Sequence, residues 1–340
     1  MSILSLFLPV AYTLIQILLL LALGYWLARY RGWNYSFFKN LSKFIVKIAL
    51  PIYFFVRVAK TNILDLQKGL LFPLAALLIV FIGVAVSVAV FRFIPLIHKE
   101  KRAGMGMASF GNSAYIPITL IEIFPVTLPI IADKFGLAIP TLYVGTYLLV
   151  LSPLLWSVGN FLVSGSSDRI RIKDFISAPL LGILSGFAVV LLRLQPLLFN
   201  PELPFFHIYK ALDRIAPVTL PLIMISLGSM IANLSYAKAE NSSGIKITAV
   251  VCFIRFLFFP SLFFSLYFLI LKNLSLSPAQ IWVIFLEMHI PPATNLSVMA
   301  VQAGNNENTV SFTLLFTYII YLFLLPLYLL LFLSLPGILQ

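Results

Sequence analysis

The sequence predicts an all-α polytopic membrane protein: ten transmembrane helices in two inverted five-helix repeats, with helices 4 and 9 broken. Three observations carry that expectation. Of 340 residues, 61% are hydrophobic and 10% charged, against about 25% charged in a soluble domain, and the mean hydropathy is +1.05. The apolar residues fall in runs close to the roughly 20 needed to cross about 30 Å of hydrocarbon. Two of those runs are interrupted near their middle, by Gly111-Asn112-Ser113-Ala114-Tyr115-Ile116-Pro117 and by His289-Ile290-Pro291-Pro292-Ala293-Thr294-Asn295.

In chain order the expected spans are Leu6 to Leu27, Phe44 to Val58, Leu70 to Phe91, Ala103 to Phe124 and Leu137 to Leu162. The second set is Ile176 to Leu192, Ile215 to Leu234, Ile247 to Leu271, Ile281 to Val301 and Val310 to Leu333. Phe44 to Val58 is short by itself. The first run has no cation before it and is followed by Arg29 and Arg31, the reverse of a secretory signal peptide. It is therefore expected to be a mature helix with its N-terminus outside. Alternating the loops from there puts most cations, among them Arg92, Lys99, Lys101, Arg102, Arg169, Arg171 and Lys173, on the cytoplasmic side. That bias is the positive-inside pattern and places both termini outside.

A polar stretch, residues 164–174, separates an N-terminal repeat, 1–163, from a C-terminal one, 175–340. An odd number of spans per half inverts the second half, the plan of many secondary transporters. Pro51 in the second span answers Pro217 and Pro221 in the seventh, and the broken fourth span answers the broken ninth.

The net charge of +12 reads as loop topology and attraction to an anionic leaflet rather than nucleic-acid binding. Cys252 is alone, which rules out an intrachain disulfide. His98, His207 and His289 have no metal-ligand spacing,. No H-E-x-x-H, G-x-x-x-x-G-K-[ST], G-x-S-x-G or G-x-G-x-x-G occurs,, so neither an ATP-driven pump nor an enzyme is expected, and no cofactor.

Inside hydrocarbon an unpaired backbone group costs several kcal/mol, so a broken helix persists only where its freed groups face protein, water or a ligand. Half-helix N-termini offer free N–H groups and the positive end of the helix dipole, which suits a carboxylate. Asn112, Ser113, Tyr115, Thr294, Asn295 and Ser297 add uncharged hydrogen-bonding groups, and Pro117 and Pro291 mark the breaks. These eight are the expected substrate-binding residues. The alternative is a pair of proline kinks with Ser and Thr bonding back to the helix.

Taken in order, several segments resemble the auxin efflux carrier family, whose prokaryotic members include permeases for small dicarboxylates. They are Leu23-Gly24-Tyr25, Ala49-Leu50-Pro51, Gly111-Asn112, Trp156 with Gly159, Ala178-Pro179-Leu180-Leu181-Gly182, Leu220-Pro221 through Leu227-Gly228, and Pro291-Pro292-Ala293-Thr294-Asn295. The resemblance implies crossover of the fourth and ninth helices at the site, homodimerisation and an elevator-like movement. The central loop is far shorter than in the long plant carriers, which favours a short-loop organic-anion permease of bacterial type over a carrier of auxin itself.

Glu122, Arg255 and Glu287 lie within spans, where an ionisable group costs about 2.5 to 3.5 kcal/mol. Counting about 1.5 Å per residue from Pro117 and Pro291 puts both carboxyls roughly 6 to 8 Å to the outer side of the crossover. Glu122, Glu287 and His289 are the candidates for coupling to a proton or sodium ion; alternatively each acid pairs with a partner such as Arg57 or is reached by water. Arg255, expected slightly to the inner side, either attracts the anion or neutralises buried acid. The function expected is a secondary transporter of a small organic anion in a plasma or bacterial inner membrane. A sodium symporter of bile-acid-like amphipaths and a non-transporting solute receptor are the alternatives.

Overall fold

The computed structural model describes residues 3–30, 32–165, 177–234 and 242–339. Most of the 164–174 linker therefore lies outside the described residues. Those described are almost entirely helical, with no β-strand among them. Helix α1 is Ile3–Tyr30. Helix α2 runs without a break through Tyr35–Phe44, a π turn at Ile45–Ala49 and Leu50–Ala59. After the short helix Ile63–Gly69 comes α3, Leu71–Arg92. The fourth expected span divides into α4, His98–Ser109, and α5, Tyr115–Thr127. Beyond Pro129–Phe135, α6 runs from Ala138–Leu154 through a π turn, Leu155–Gly159, to Asn160–Ser164.

In the second half, α7 is Ala178–Leu191 and α8 joins Pro204–Ile215, a tight turn at Ala216–Val218 and Thr219–Leu234. Helix α9 comprises Ser242–Phe253, a π turn at Ile254–Phe258 and Phe259–Leu269. The ninth expected span divides into α10, Pro278–Met288, and α11, Asn295–Ala303; α12, Glu307–Leu333, closes the chain. Among the described residues six stretches are long and apolar enough to cross a membrane: Leu6–Tyr30, Ile63–Arg92, Ala138–Ser164, Pro204–Asn233, Ser243–Asn273 and Glu307–Leu333. Large apolar side chains such as Phe81, Leu269 and Phe323 stand outward on them, an arrangement suited to hydrocarbon rather than water.

Two boundaries differ most from those expected. The second helix begins at Tyr35, because the Asn34 side chain accepts from the Phe37 N–H at 2.9 Å and caps a polar first half,. An amphipathic segment, Pro204–Ile215, extends α8 backwards. Both were missed by reading apolar runs alone.

The π turn in α9 has a local cause. Pro260 has no N–H, so the Phe256 carbonyl four residues back loses its donor. The helix widens, with the Phe259 N–H reaching the Ile254 carbonyl, and the Tyr328 hydroxyl of α12 donates to the freed Phe256 carbonyl at 2.6 Å. Tyr328→Phe leaves that buried carbonyl unpaired. The expected loss is about 1–3 kcal/mol, measured as a lower thermal midpoint with helix content unchanged.

The helices pack in two sets. In one, α1 lies along α8 and α2 lies along α7. Glycine makes both approaches possible: a Cβ on Gly24 would stand 2.0 Å from the Ile225 carbonyl oxygen, one on Gly228 2.0 Å from that of Leu21, and one on Gly182 2.2 Å from that of Pro51. In the other set, α3 packs on α6 and on α4, and α9 packs on α12 and on α4. The broken helices lie within this second set.

Candidate functional site

The two interruptions meet. The Asn112 N–H donates to the Pro291 carbonyl and the Ala293 N–H to the Phe110 carbonyl, each at 2.9 Å, pairing Gly111 with Pro292 as one antiparallel bridge. Four backbone groups freed by the two breaks are thus satisfied by each other. A Cβ on Gly111 would fall 2.8 Å from the Ile290 side chain, so a larger residue there would have to displace that side chain.

Side chains complete the junction. Asn112 is buried; its amide donates to the Tyr318 hydroxyl at 2.5 Å, and its carbonyl accepts from the Tyr115 N–H at 3.3 Å, capping α5. Tyr318 in turn donates to the Pro292 carbonyl at 3.2 Å. Ser113, Pro117, Pro291 and Thr294 are buried around the bridge, and the Ser297 hydroxyl bonds back to the Thr294 carbonyl at 2.8 Å. Asn295 differs, being exposed at the start of α11. Tyr318 carries no motif of its own and was not singled out from the sequence; only its depth in an apolar helix could have flagged it.

The three charged residues within spans are held differently. Glu122 on α5 forms an ion pair with Arg57 of α2 at 2.7 Å and accepts from the Tyr53 hydroxyl at 2.7 Å, so this acid has the Arg57 partner weighed in the sequence reading. Glu287 at the end of α10 is 1% exposed, and neither carboxylate oxygen has a hydrogen-bond partner among the described residues. Ser113 and Arg255 face it, and Arg255 stands beyond ion-pair distance: among the described residues the ion pairs are Arg57–Glu122 and Lys60–Asp213.

Arg255 occupies the π turn of α9 and is likewise 1% exposed. One terminal nitrogen lies 3.1 Å from where a Gly111 Cβ would stand, so the guanidinium sits against the crossover itself. Its Nε and Nη2 have no partner, and its Cζ lies 5.3 Å from the centre of the Phe259 ring. His289 contacts the rings of Phe263, Phe264, Phe285 and Tyr328. Its Nδ1 is 2.7 Å from the Phe285 carbonyl, which requires a proton on Nδ1; Nε2 has no partner.

A narrow apolar crevice opens beside the crossover. Ile116 and Thr119 of α5 and Tyr318 and Tyr321 of α12 line one wall; Leu21 of α1 and Met224 and Leu227 of α8 line the other. The crevice therefore runs between the two packed sets of helices.

Comparison with known proteins adds one finding. A family model described as membrane transport protein matches residues 9–172 and again 166–329, nearly the whole chain in two stretches. The chain belongs to this family, that of the auxin efflux carriers. No curated protein matches the sequence. As a member of a transporter family, the protein is a multi-pass membrane transporter. The crossover is then a place where backbone dipoles, amides and buried charge converge within its helices.

Proposed function

We propose that this transporter is a secondary carrier of a small organic anion, which binds at the crossover and crosses by an elevator-type movement of one helix set against the other. The observation that carries this reading is the backbone bridge between Gly111 and Pro292, with the buried Arg255 guanidinium beside it, its Nε and Nη2 without a partner among the described residues. A broken-helix junction gathers half-helix dipoles, and a buried cation without an acid in contact favours an anionic solute.

The packing supports the ten-span, inverted-repeat plan. The first span lies along the seventh, and its repeat counterpart, the sixth, lies along the second. Likewise the third packs on the fifth and the eighth on the tenth. Such exchange of partners is what two related halves produce, and it supports the division into 1–163 and 175–340. The crevice between the sets supplies the sliding surface, and the Arg57–Glu122 pair links the two sets, from α2 to α5. Glu122 is thereby assigned to this bridge, leaving Glu287 and His289 as the candidates for coupling to a proton or sodium ion. Outside-facing termini and a homodimer complete the reading.

The test is uptake of radiolabelled malate, malonate, succinate and indole acetate into proteoliposomes, with and without a sodium or proton gradient. Accumulation of at least one anion above protein-free vesicles supports the carrier. Saturable binding with no movement of any of them would support the receptor reading instead.

A further inference from the structure

Five polar atoms without a protein partner lie on three residues next to the crossover: Nε and Nη2 of Arg255, both carboxylate oxygens of Glu287, and Nε2 of His289. All three side chains are 1–2% exposed. More than nine in ten buried polar groups in folded proteins are paired, and leaving one unpaired costs free energy, so such a cluster marks a place that receives something. Arg255 and Glu287 carry opposite charge yet do not touch, because each is held by a separate device. The π turn ahead of Pro260 sets Arg255 against Gly111, and the C-terminus of α10 ends on Glu287 just before the bridged prolines. The Tyr147 ring of α6 lies near both charges and near Ser113.

The chemistry of the unpartnered atoms specifies the ligand. A guanidinium has donors only and presents a planar fork that fits a carboxylate; an ionised carboxylate has acceptors only. The cluster therefore offers donors on one side and acceptors on the other. We propose that Arg255 and Glu287 form a bipolar subsite that takes a carboxylate bearing a neighbouring hydroxyl or ammonium group, its carboxylate on Arg255 and its donor on Glu287. Both sources share a carboxylate with an adjacent donor, and the experiment separates them. The inference rests on the anion-carrier reading and adds to it the two residues that set selectivity.

Binding of malate, aspartate and succinate to the purified full-length protein tests it, by titration calorimetry or ligand-induced thermal shift. The three share a four-carbon dicarboxylate frame and differ in hydroxyl, ammonium or neither. Malate or aspartate is expected to bind about tenfold or more tightly than succinate, the effect of one buried hydrogen bond on an equilibrium. Glu287→Met is expected to abolish that preference, malate, aspartate and succinate then binding within about threefold of one another. If that variant fails to fold, Glu287→Gln, which keeps an acceptor and loses the charge, should preserve a malate preference and abolish an aspartate one. Equal affinity for all three in the wild-type protein overturns the subsite and leaves the carrier reading standing. Binding of malonate or indole acetate alone has the same consequence. Binding of none of the five, together with no uptake, removes the carrier reading as well.

Discussion

Gly228→Ala is expected to prevent the protein from reaching a monodisperse folded state. The added methyl would stand 2.0 Å from the Leu21 carbonyl oxygen and within 3.0 Å of its Cα, so the obstacle is backbone and no rotamer change relieves it. Overpacking a core costs about 1–3 kcal/mol when side chains give way, and more when helices must separate. Here α1 and α8 would have to separate along their whole contact. Within a membrane, close approach through small residues is itself a source of helix association, since lipid gives no hydrophobic drive. Gly24→Ala meets the same obstacle from the other helix, at 2.0 Å from the Ile225 carbonyl oxygen. Gly145→Ala is the control: its nearest contact is 3.4 Å, to an Ile183 side chain, and it should behave as wild type. Size-exclusion chromatography of fluorescent fusions reads all three.

Arg255→Met is expected to give a folded protein that no longer binds anions. The guanidinium is buried without an acid in contact, and methionine fits in its place because it is long, unbranched and adaptable. Loss of the cation should weaken anion binding by about 30-fold or more, the effect of about 2 kcal/mol for a buried charge partner. Glu287 faces the guanidinium, so the substitution leaves that acid without a counter-charge and should lower the thermal midpoint of the ligand-free protein. A vanished ligand-induced shift in a protein that still folds separates a functional cation from a structural one; a purely structural arginine would lower the midpoint and leave the shift in place.

Much of this architecture was legible in the sequence because hydrocarbon enforces simple rules. Apolar runs of membrane length became helices, and the interruptions at Gly111-Asn112 and Pro291-Pro292 became breaks, since proline and its freed carbonyls cannot continue a helix unassisted. Polar or tightly specific features were harder to read. The capped start of α2 at Asn34 and the amphipathic lead into α8 fall below any threshold of apolarity. The backbone bridge depends on which carbonyls meet across two segments far apart in the chain. Of the eight residues expected to bind substrate, Asn295 is exposed and the other seven are half-buried or buried. Tyr318, which anchors Asn112, and Tyr328, which repairs the π turn, looked like ordinary aromatic residues of an apolar helix. Glu122 and Glu287 looked alike as intramembrane acids, and only the fold separates them. One faces Arg57 and Tyr53 on a neighbouring helix; the other faces no partner within bonding distance.

The central claim is that the transported anion binds where the two broken helices cross. Equilibrium binding of the best-accumulated anion to wild-type protein and to Asn112→Ala tests it most directly, with circular dichroism to verify the fold of the variant. The alanine removes both the cap on Tyr115 and the bond to Tyr318 while leaving the backbone bridge its N–H. Affinity should fall about tenfold or more, with helix content unchanged. Unaltered affinity in a folded Asn112→Ala protein would contradict the account and place the anion elsewhere.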